Sequence, residues 1–368
     1  MATVKYRTDC SALEDNGAEH RRGREMSAVR QGPRAPGGRG QARQMQRSIH
    51  ERVVTLGGGT GSFTMLSELR KVATHLQAIV TMMDSGGSSR MLIDEFGRPL
   101  PLGDLRQALV ALSRSRKLWG EIFSYRFPDS PNGVVGGHSL GNLILHALQD
   151  LNDGDLLGAL EDAEEVLNTA GHVIPVTLEQ ATLCAELSDG TVVRGETAID
   201  RPVDRPILPI ARVYLDGPAA VTTRARKALE RAERVLIGPG DLYTSVIPCL
   251  LVDGVPEAIR ACDGEVVYVC NVMTKHGETD EFSASDFVRE VHRYLGRRVD
   301  AVVVNTGEYP AELVARYAAE QATPVRPDLD ALRTLVPRLL TGSFASTDRL
   351  IRHDAERVVL AIWPELGE

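Results

Sequence analysis

Apolar positions in this chain follow two periods, and the switches between them mark its elements. "RVVTL" (52–56) is a short apolar run that stops at glycine, the pattern of a buried strand. "SFTMLSELRKV" (62–72) follows, with Phe63, Leu66 and Leu69 on one face of a predicted helix. "LQAIVTMM" (76–83) is a second predicted strand, and strand, tight loop, helix and strand make a βαβ unit with a right-handed crossover. Helical spacing continues over 103–113, 139–151 and 155–168, the last opening on Asp155 as a cap. Residues 182–199 alternate instead, around Asp189-Gly190, a strong short hairpin signal. Buried-strand runs return at 233–238, 265–270 and 300–305, with helices centred near residues 226, 258, 289 and 316. The predicted architecture is α/β: a Rossmann-like, doubly wound, mostly parallel sheet over residues 51–368, with a small antiparallel β insertion near 172–215.

Residues 1–50 do not join this rhythm. They are rich in Arg, Gly and Pro without apolar periodicity, which predicts a disordered basic tail, and Met45 offers an alternative start. The tail holds ten Lys/Arg against five Asp/Glu, so a total net charge of −8 leaves −13 on the other 318 residues. Such a body repels nucleic acid and anionic membranes, and an anionic ligand needs a local site made by the backbone. No apolar run nears the roughly 20 residues of a bilayer span, and no secretory signal is legible. Five scattered cysteines without a CxxC fit free thiols in a reducing cytoplasm.

Parallel sheets bind ligands at the carboxyl ends of their strands, and there the sequence is unusual. After the first strand come Gly57, Gly58, Gly59, Thr60 and Gly61, followed by Ser62 where a dinucleotide fingerprint has its last glycine. Bare backbone and a helix start can hold phosphate oxygens. One helix terminus contributes at most roughly 2 kcal/mol, whereas micromolar affinity needs about 8, so several loops must cooperate. After the second strand, Asp84, Ser85, Gly86, Gly87 and Ser88 form a second candidate cradle for an anion or sugar. Asp104, near a helix start, is a cap or, paired with Asp84, a set of oxygen ligands for Mg2+. His138 and Asn142 share a face if their helix starts early enough, and could then meet phosphate or sugar. Gly238, Gly240, Tyr243, Thr244 and Ser245 follow a later strand, with Tyr243 either stacking on a base or packing in the core. Asn271 follows the next strand as a hydrogen-bonding candidate for base or sugar, while Lys275 and His276 read as solvated loop residues. No Ser-His-Asp arrangement can be argued from spacing, and HExxH and Walker A motifs are missing, which argues against the common zinc enzymes and P-loop kinases.

The ordered set "GGGTGS" (57–62), "DSGGSS" (84–89), "GDLRQAL" (103–109), "GHSLGNL" (137–143), "VIPVT" (173–177), "GPGDLYTS" (238–245) and "YVCNVMTKHGETDEFSASD" (268–286) resembles the YvcK-like gluconeogenesis factors, within the CofD-like superfamily. The resemblance implies a Rossmann-like, cytoplasmic protein that binds a UDP-sugar, UDP-N-acetylglucosamine in particular, and links carbon metabolism to cell-wall precursors and cell shape. It implies no established cofactor or reaction, and leaves self-association open. The alternative is the superfamily's other branch, a transferase moving a phospholactyl group from a nucleotide donor to a deazaflavin with Mg2+. Arg90, Leu102, Gln107, Cys249 and His276 depart from the usual family residues beside the expected pocket.

Overall fold

The computed structural model describes residues 48–84, 101–128, 136–203, 207–348 and 350–367. The arginine-rich segment and the loop bearing Ser85, Gly86, Gly87, Ser88 and Arg90 lie outside the described residues. The strands are β1 (Ile49–Gly57), β2 (Ala73–Val80), β3 (His172–Pro175), β4 (Thr182–Leu187), β5 (Val192–Arg194), β6 (Ile210–Asp216), β7 (Arg234–Ile237), β8 (Glu265–Val269), β9 (Ala301–Asn305), β10 (Arg338–Gly342), β11 (Ala345–Ser346) and β12 (Arg352–His353). Seven of them form one sheet in the order β10-β9-β8-β7-β1-β2-β3. Every neighbouring pair in it is parallel.

A sheet buried on both faces explains the unbroken apolar runs: Val235, Leu236 and Ile237 of β7 and Val266, Val267 and Tyr268 of β8 are fully buried. Helix Gly59–Val72 packs on helices Gly103–Leu112 and Ala355–Ile362, while helix Val255–Ala261 packs on Thr223–Glu230 and Ala284–Leu295. Helix Gly59–Val72 connects β1 to β2, and helices Val255–Ala261 and Ala284–Leu295 connect β7 to β8 and β8 to β9.

From β1 the chain winds one way through β2 to β3, and later the other way from β7 to β10. The order therefore reverses between β1 and β7, the point at which an open α/β sheet leaves a crevice. The register makes the strand ends level: Leu56 lies opposite Ile237, and Gly57 opposite Val80. Pairing runs on past the strands, with Thr81 N donating to Gly57 O at 3.1 Å and Gly238 N to Leu56 O at 2.9 Å. The loops after β1, β2, β7, β8 and β9 all leave along this edge.

The antiparallel part is a separate three-stranded sheet, β5-β4-β6. Its hairpin turns at Asp189-Gly190, where Asp189 Oδ1 accepts from Thr191 N at 2.9 Å and Gly190 takes φ +86°. Residues 196–200 are a short helix, not a continuation of the alternating strand pattern. β3, grouped with this insertion in the sequence reading, is the edge strand of the main sheet, where Val173 and Ile174 are fully buried.

The C-terminal helix closes the fold on β1 and β7. Arg234 pairs with Glu51 (2.9 Å) and Glu265 (2.6 Å), and its guanidinium lies 4.8 Å from the Trp363 ring centroid. Trp363 Nε1 donates to Glu51 Oε2 at 3.0 Å. Burial pushes the Glu51 carboxyl up, but hydrogen bonds from Arg234 and Trp363 and the Arg234 charge outweigh it, so its pKa falls below the usual range. A lowered folded pKa stabilises above the unfolded value, and the contribution fades as pH falls through the folded one. Arg234→Ala is expected to cost about 2 kcal/mol at neutral pH in urea unfolding, between exposed and buried pairs. The cost should shrink below about pH 4, as Glu51 takes up a proton.

Candidate functional site

A cavity of about 530 Å3 opens at the switch point. Gly58–Gly61 form one wall, Pro239–Asp241 with Ser245 a second, and residues 271–276 a third. Asp200 and Pro202 come from the insertion, between β5 and β6, and Tyr317, Glu320 and residues 351–353 from the C-terminal third.

Glycine in the first wall answers to specific neighbours. Gly59 has φ +67°, which L side chains rarely adopt. A Cβ on Gly61 would lie 2.6 Å from Pro239 O, so the two glycine loops touch backbone to backbone. The helix that follows has no side-chain cap at Gly58, which leaves first-turn N–H groups at the cavity. Beneath this wall sits Asp104, whose Oδ1 accepts from Gly59 N at 3.1 Å. Burial and the Asp84 charge raise the Asp104 pKa to about 6, against the opposing pull of the Gly59 N–H and Arg106.

Opposite stands an acidic cluster. Oxygens of Asp200, Asp241 and Glu278 lie within 4.8 Å of one another. Lys275 Nζ sits on two of them, 2.5 Å from Asp200 and 2.8 Å from Asp241. Burial works against the ammonium, but these carboxylates keep its pKa above the ordinary lysine value. Glu278 is buried, accepts from Tyr243 N and Thr244 Oγ1, and is held well above the carboxylate range by burial and the Asp241 charge. Lys275 is thus an ion-paired cavity residue rather than a solvated one. His276 also lines the cavity and is hydrogen-bonded to Asp280 at 3.0 Å.

Of the residues singled out from sequence, Gly58, Gly59, Thr60, Gly61, Gly240, Ser245 and Asn271 line the cavity. Asn271 also donates to Gly240 O at 2.9 Å and so fixes the second wall. Gly57 and Gly238 form the turns behind it, with φ +153° and +73°. Tyr243 does not stack outward: it is 1% exposed, with its OH on Glu290 at 3.1 Å and its ring edge-on to Phe282. Thr244 is buried on Glu278. The helix near His138 starts only at Leu140, capped by Ser139, so His138 and Asn142 do not share a helical face. Both are buried, and Asn142 accepts from Arg106 Nε at 3.0 Å. Asp84 closes the described part of its loop, near enough for its charge to act on Asp104.

Arg352 and His353 escaped the sequence reading. They form the two-residue strand β12, too short for any periodic signal. The Arg352 side chain is exposed at the cavity and has no ion pair among the described residues.

A family model described as 2-phospho-L-lactate transferase CofD matches residues 53–344. A putative gluconeogenesis factor of Thermotoga maritima is 39% identical, over 83% of this chain and 96% of that protein. The gluconeogenesis factor of Halalkalibacterium halodurans is 39% identical, over 84% and 95%. Among solved structures, a Bacillus halodurans protein superposes with TM-score 0.80 at 36% identity, over 87% of this chain and all of its own. A UPF0052-family structure from the same organism gives 0.79 at 37% identity, over 85% and 99%.

An acid with a raised folded pKa stabilises most when protonated, and stability is lost as pH rises from the unfolded value to the folded one. Asp104→Asn keeps an acceptor for Gly59 N–H without the charge. It is expected to raise stability by about 1–2 kcal/mol at pH 8, with the gain disappearing below about pH 4, as read by denaturant unfolding across pH.

Proposed function

The chain belongs to the CofD family and, within it, to the gluconeogenesis factors, and from that membership we propose a regulator that binds a nucleotide sugar of the UDP-N-acetylglucosamine type. The observation that carries this reading is the cavity itself: glycine-backed amides on one side and, on another, Arg352, which has no ion pair among the described residues, at the carboxyl edge of a parallel sheet. Amides and a guanidinium suit a diphosphate, which a body of net charge −13 could hold only through such local donors. Asn271, Ser245 and the carboxylates beside Lys275 supply partners for the hydroxyls of ribose or sugar. A volume of about 530 Å3 suits a ligand of that size. In this reading the protein senses a cell-wall precursor in the cytoplasm and adjusts carbon allocation and cell shape. Among the described residues no helix is long and apolar enough to cross a membrane. Isothermal titration with UDP-N-acetylglucosamine is expected to show micromolar binding, weakened at least about tenfold by Arg352→Ala. Absence of heat at high-micromolar ligand would overturn the reading.

The transferase alternative draws on two observations, the family match over 53–344 and the Asp84 charge acting on Asp104, which sits below the glycine wall. Those carboxylates would hold Mg2+ between phosphates, and Lewis-acid stabilisation of the leaving phosphate is the chemistry the ion would supply. Incubation with a phospholactyl nucleotide donor, deazaflavin and Mg2+ tests it. The alternative requires turnover that Asp84→Asn abolishes, and a donor that stays intact rejects it.

A further inference from the structure

We propose that His353 is a hydrogen-bond acceptor locked into one tautomer, which selects ligands offering an N–H or O–H donor to its Nδ1. The proposal deepens the nucleotide-sugar reading and rests on it for its probe.

His353 Nε2 lies 3.0 Å from Cys270 O at the end of β8. A carbonyl oxygen only accepts, so Nε2 carries the hydrogen. Burial pulls the ring's pKa down to about 4, so at neutral pH the imidazole holds one proton, and it is spent on Cys270. Nδ1 is then a bare lone pair. The residue lines the cavity, and Nδ1 has no partner among the described residues.

The ring is held from both sides along the chain. His353 pairs with Ala345 of β11, and Asp354 N donates to Phe344 O at 2.7 Å. Ile351 N donates to the Tyr317 hydroxyl at 3.2 Å. The other tautomer would put an unprotonated Nε2 against the Cys270 carbonyl, two acceptors face to face, and a flipped ring would put carbon there and lose the hydrogen bond.

The rest of the wall makes this acceptor distinctive. The backbone amides, Lys275 and Arg352 are donors, the hydroxyls of Thr60 and Ser245 both donate and accept, and the carboxylates of Asp200, Asp241 and Glu320 accept as charged groups. His353 therefore offers an uncharged acceptor. It welcomes a hydroxyl, an amide N–H or a base N–H, and repels a phosphate oxygen, which only accepts at neutral pH. The anionic part of the ligand belongs at the glycine loops, and the part facing β12 carries a donor.

The test is long-range 1H–15N spectroscopy of the full chain with 15N-labelled histidine at pH 7, with His353 assigned by difference from His353→Gln. The free protein should show the Nε2–H tautomer, and Nδ1 should move upfield on saturation with UDP-N-acetylglucosamine but not with pyrophosphate. In calorimetry His353→Phe should weaken that ligand about tenfold, and His353→Gln, which keeps a donor and an acceptor, by no more than about threefold. An Nδ1–H tautomer, an unmoved Nδ1 in a sample that binds by calorimetry, or undiminished affinity in the Phe variant would overturn the proposal. If UDP-N-acetylglucosamine gives no heat, the nucleotide-sugar reading fails; the free-protein tautomer then judges the histidine, with Nε2–H in its favour and Nδ1–H against it.

Discussion

The site depends on one steric constraint: two loops from distant parts of the chain meet backbone against backbone. Gly61 faces Pro239 O with no room for a Cβ, and Ser62 Oγ reaches the same carbonyl at 3.4 Å. This meeting is possible because β1 and β7 are parallel neighbours in level register, with Leu56 opposite Ile237. It falls where the winding reverses, so the helices that follow the two strands diverge and leave the crevice uncovered. A side chain at position 61 would wedge the loops apart, and both cavity walls would move with them.

Electrostatics then divides the cavity. One side offers the amides of the glycine wall, with the Asp104 carboxyl beneath them on Gly59 N, and, further round, Arg352. The other carries Asp200, Asp241 and Glu278, a concentration of negative charge that would oppose any phosphate. Two devices temper it. Lys275 sits on Asp200 and Asp241, and Glu278 is deep enough that burial favours its neutral form. Charge distribution within the cavity, more than the net charge of the body, decides what it can hold.

The sheet and the glycine walls were legible in the sequence because their causes are local. Unbroken apolar runs signal strands buried on both faces, and glycine clusters directly after them signal turns at the carboxyl edge. Errors arose where tertiary context decides. Tyr243 has a polar tip that suits a ligand as well as a buried partner, and only packing on Phe282 and Glu290 resolved it. Lys275 looked solvated because Asp200 and Asp241, its counter-charges, lie 75 and 34 positions away. His138 and Asn142 were spaced for one face, but Ser139 caps the helix between them. "HVIP" at β3 was assigned to the insertion because four residues cannot reveal which sheet they join. β12 has two residues, and its importance comes wholly from what stands opposite it.

That last case bears on how such a cavity could report on its ligand. Besides the loops after β7 and β8, it is lined by the first βα loop, by Asp200 of the insertion and by the hairpin that carries Arg352 and His353. That hairpin is joined to the glycine wall by more than the cavity, since helix Ala355–Ile362 leaves β12 and packs on helix Gly59–Val72. A ligand bridging glycine amides and Arg352 would close a loop of contacts that already runs through those two helices. Binding to the folded form alone adds about 2.7 kcal/mol at a hundredfold excess over Kd. In a closed loop of this kind that free energy is shared among elements far apart in sequence. The insertion meets this cavity through Asp200, ion-paired with Lys275, and is tied to the body elsewhere by Val213 N on the Tyr294 hydroxyl and Arg293 on Ala211 O, so an anion drawing on the same ammonium would loosen one of several ties.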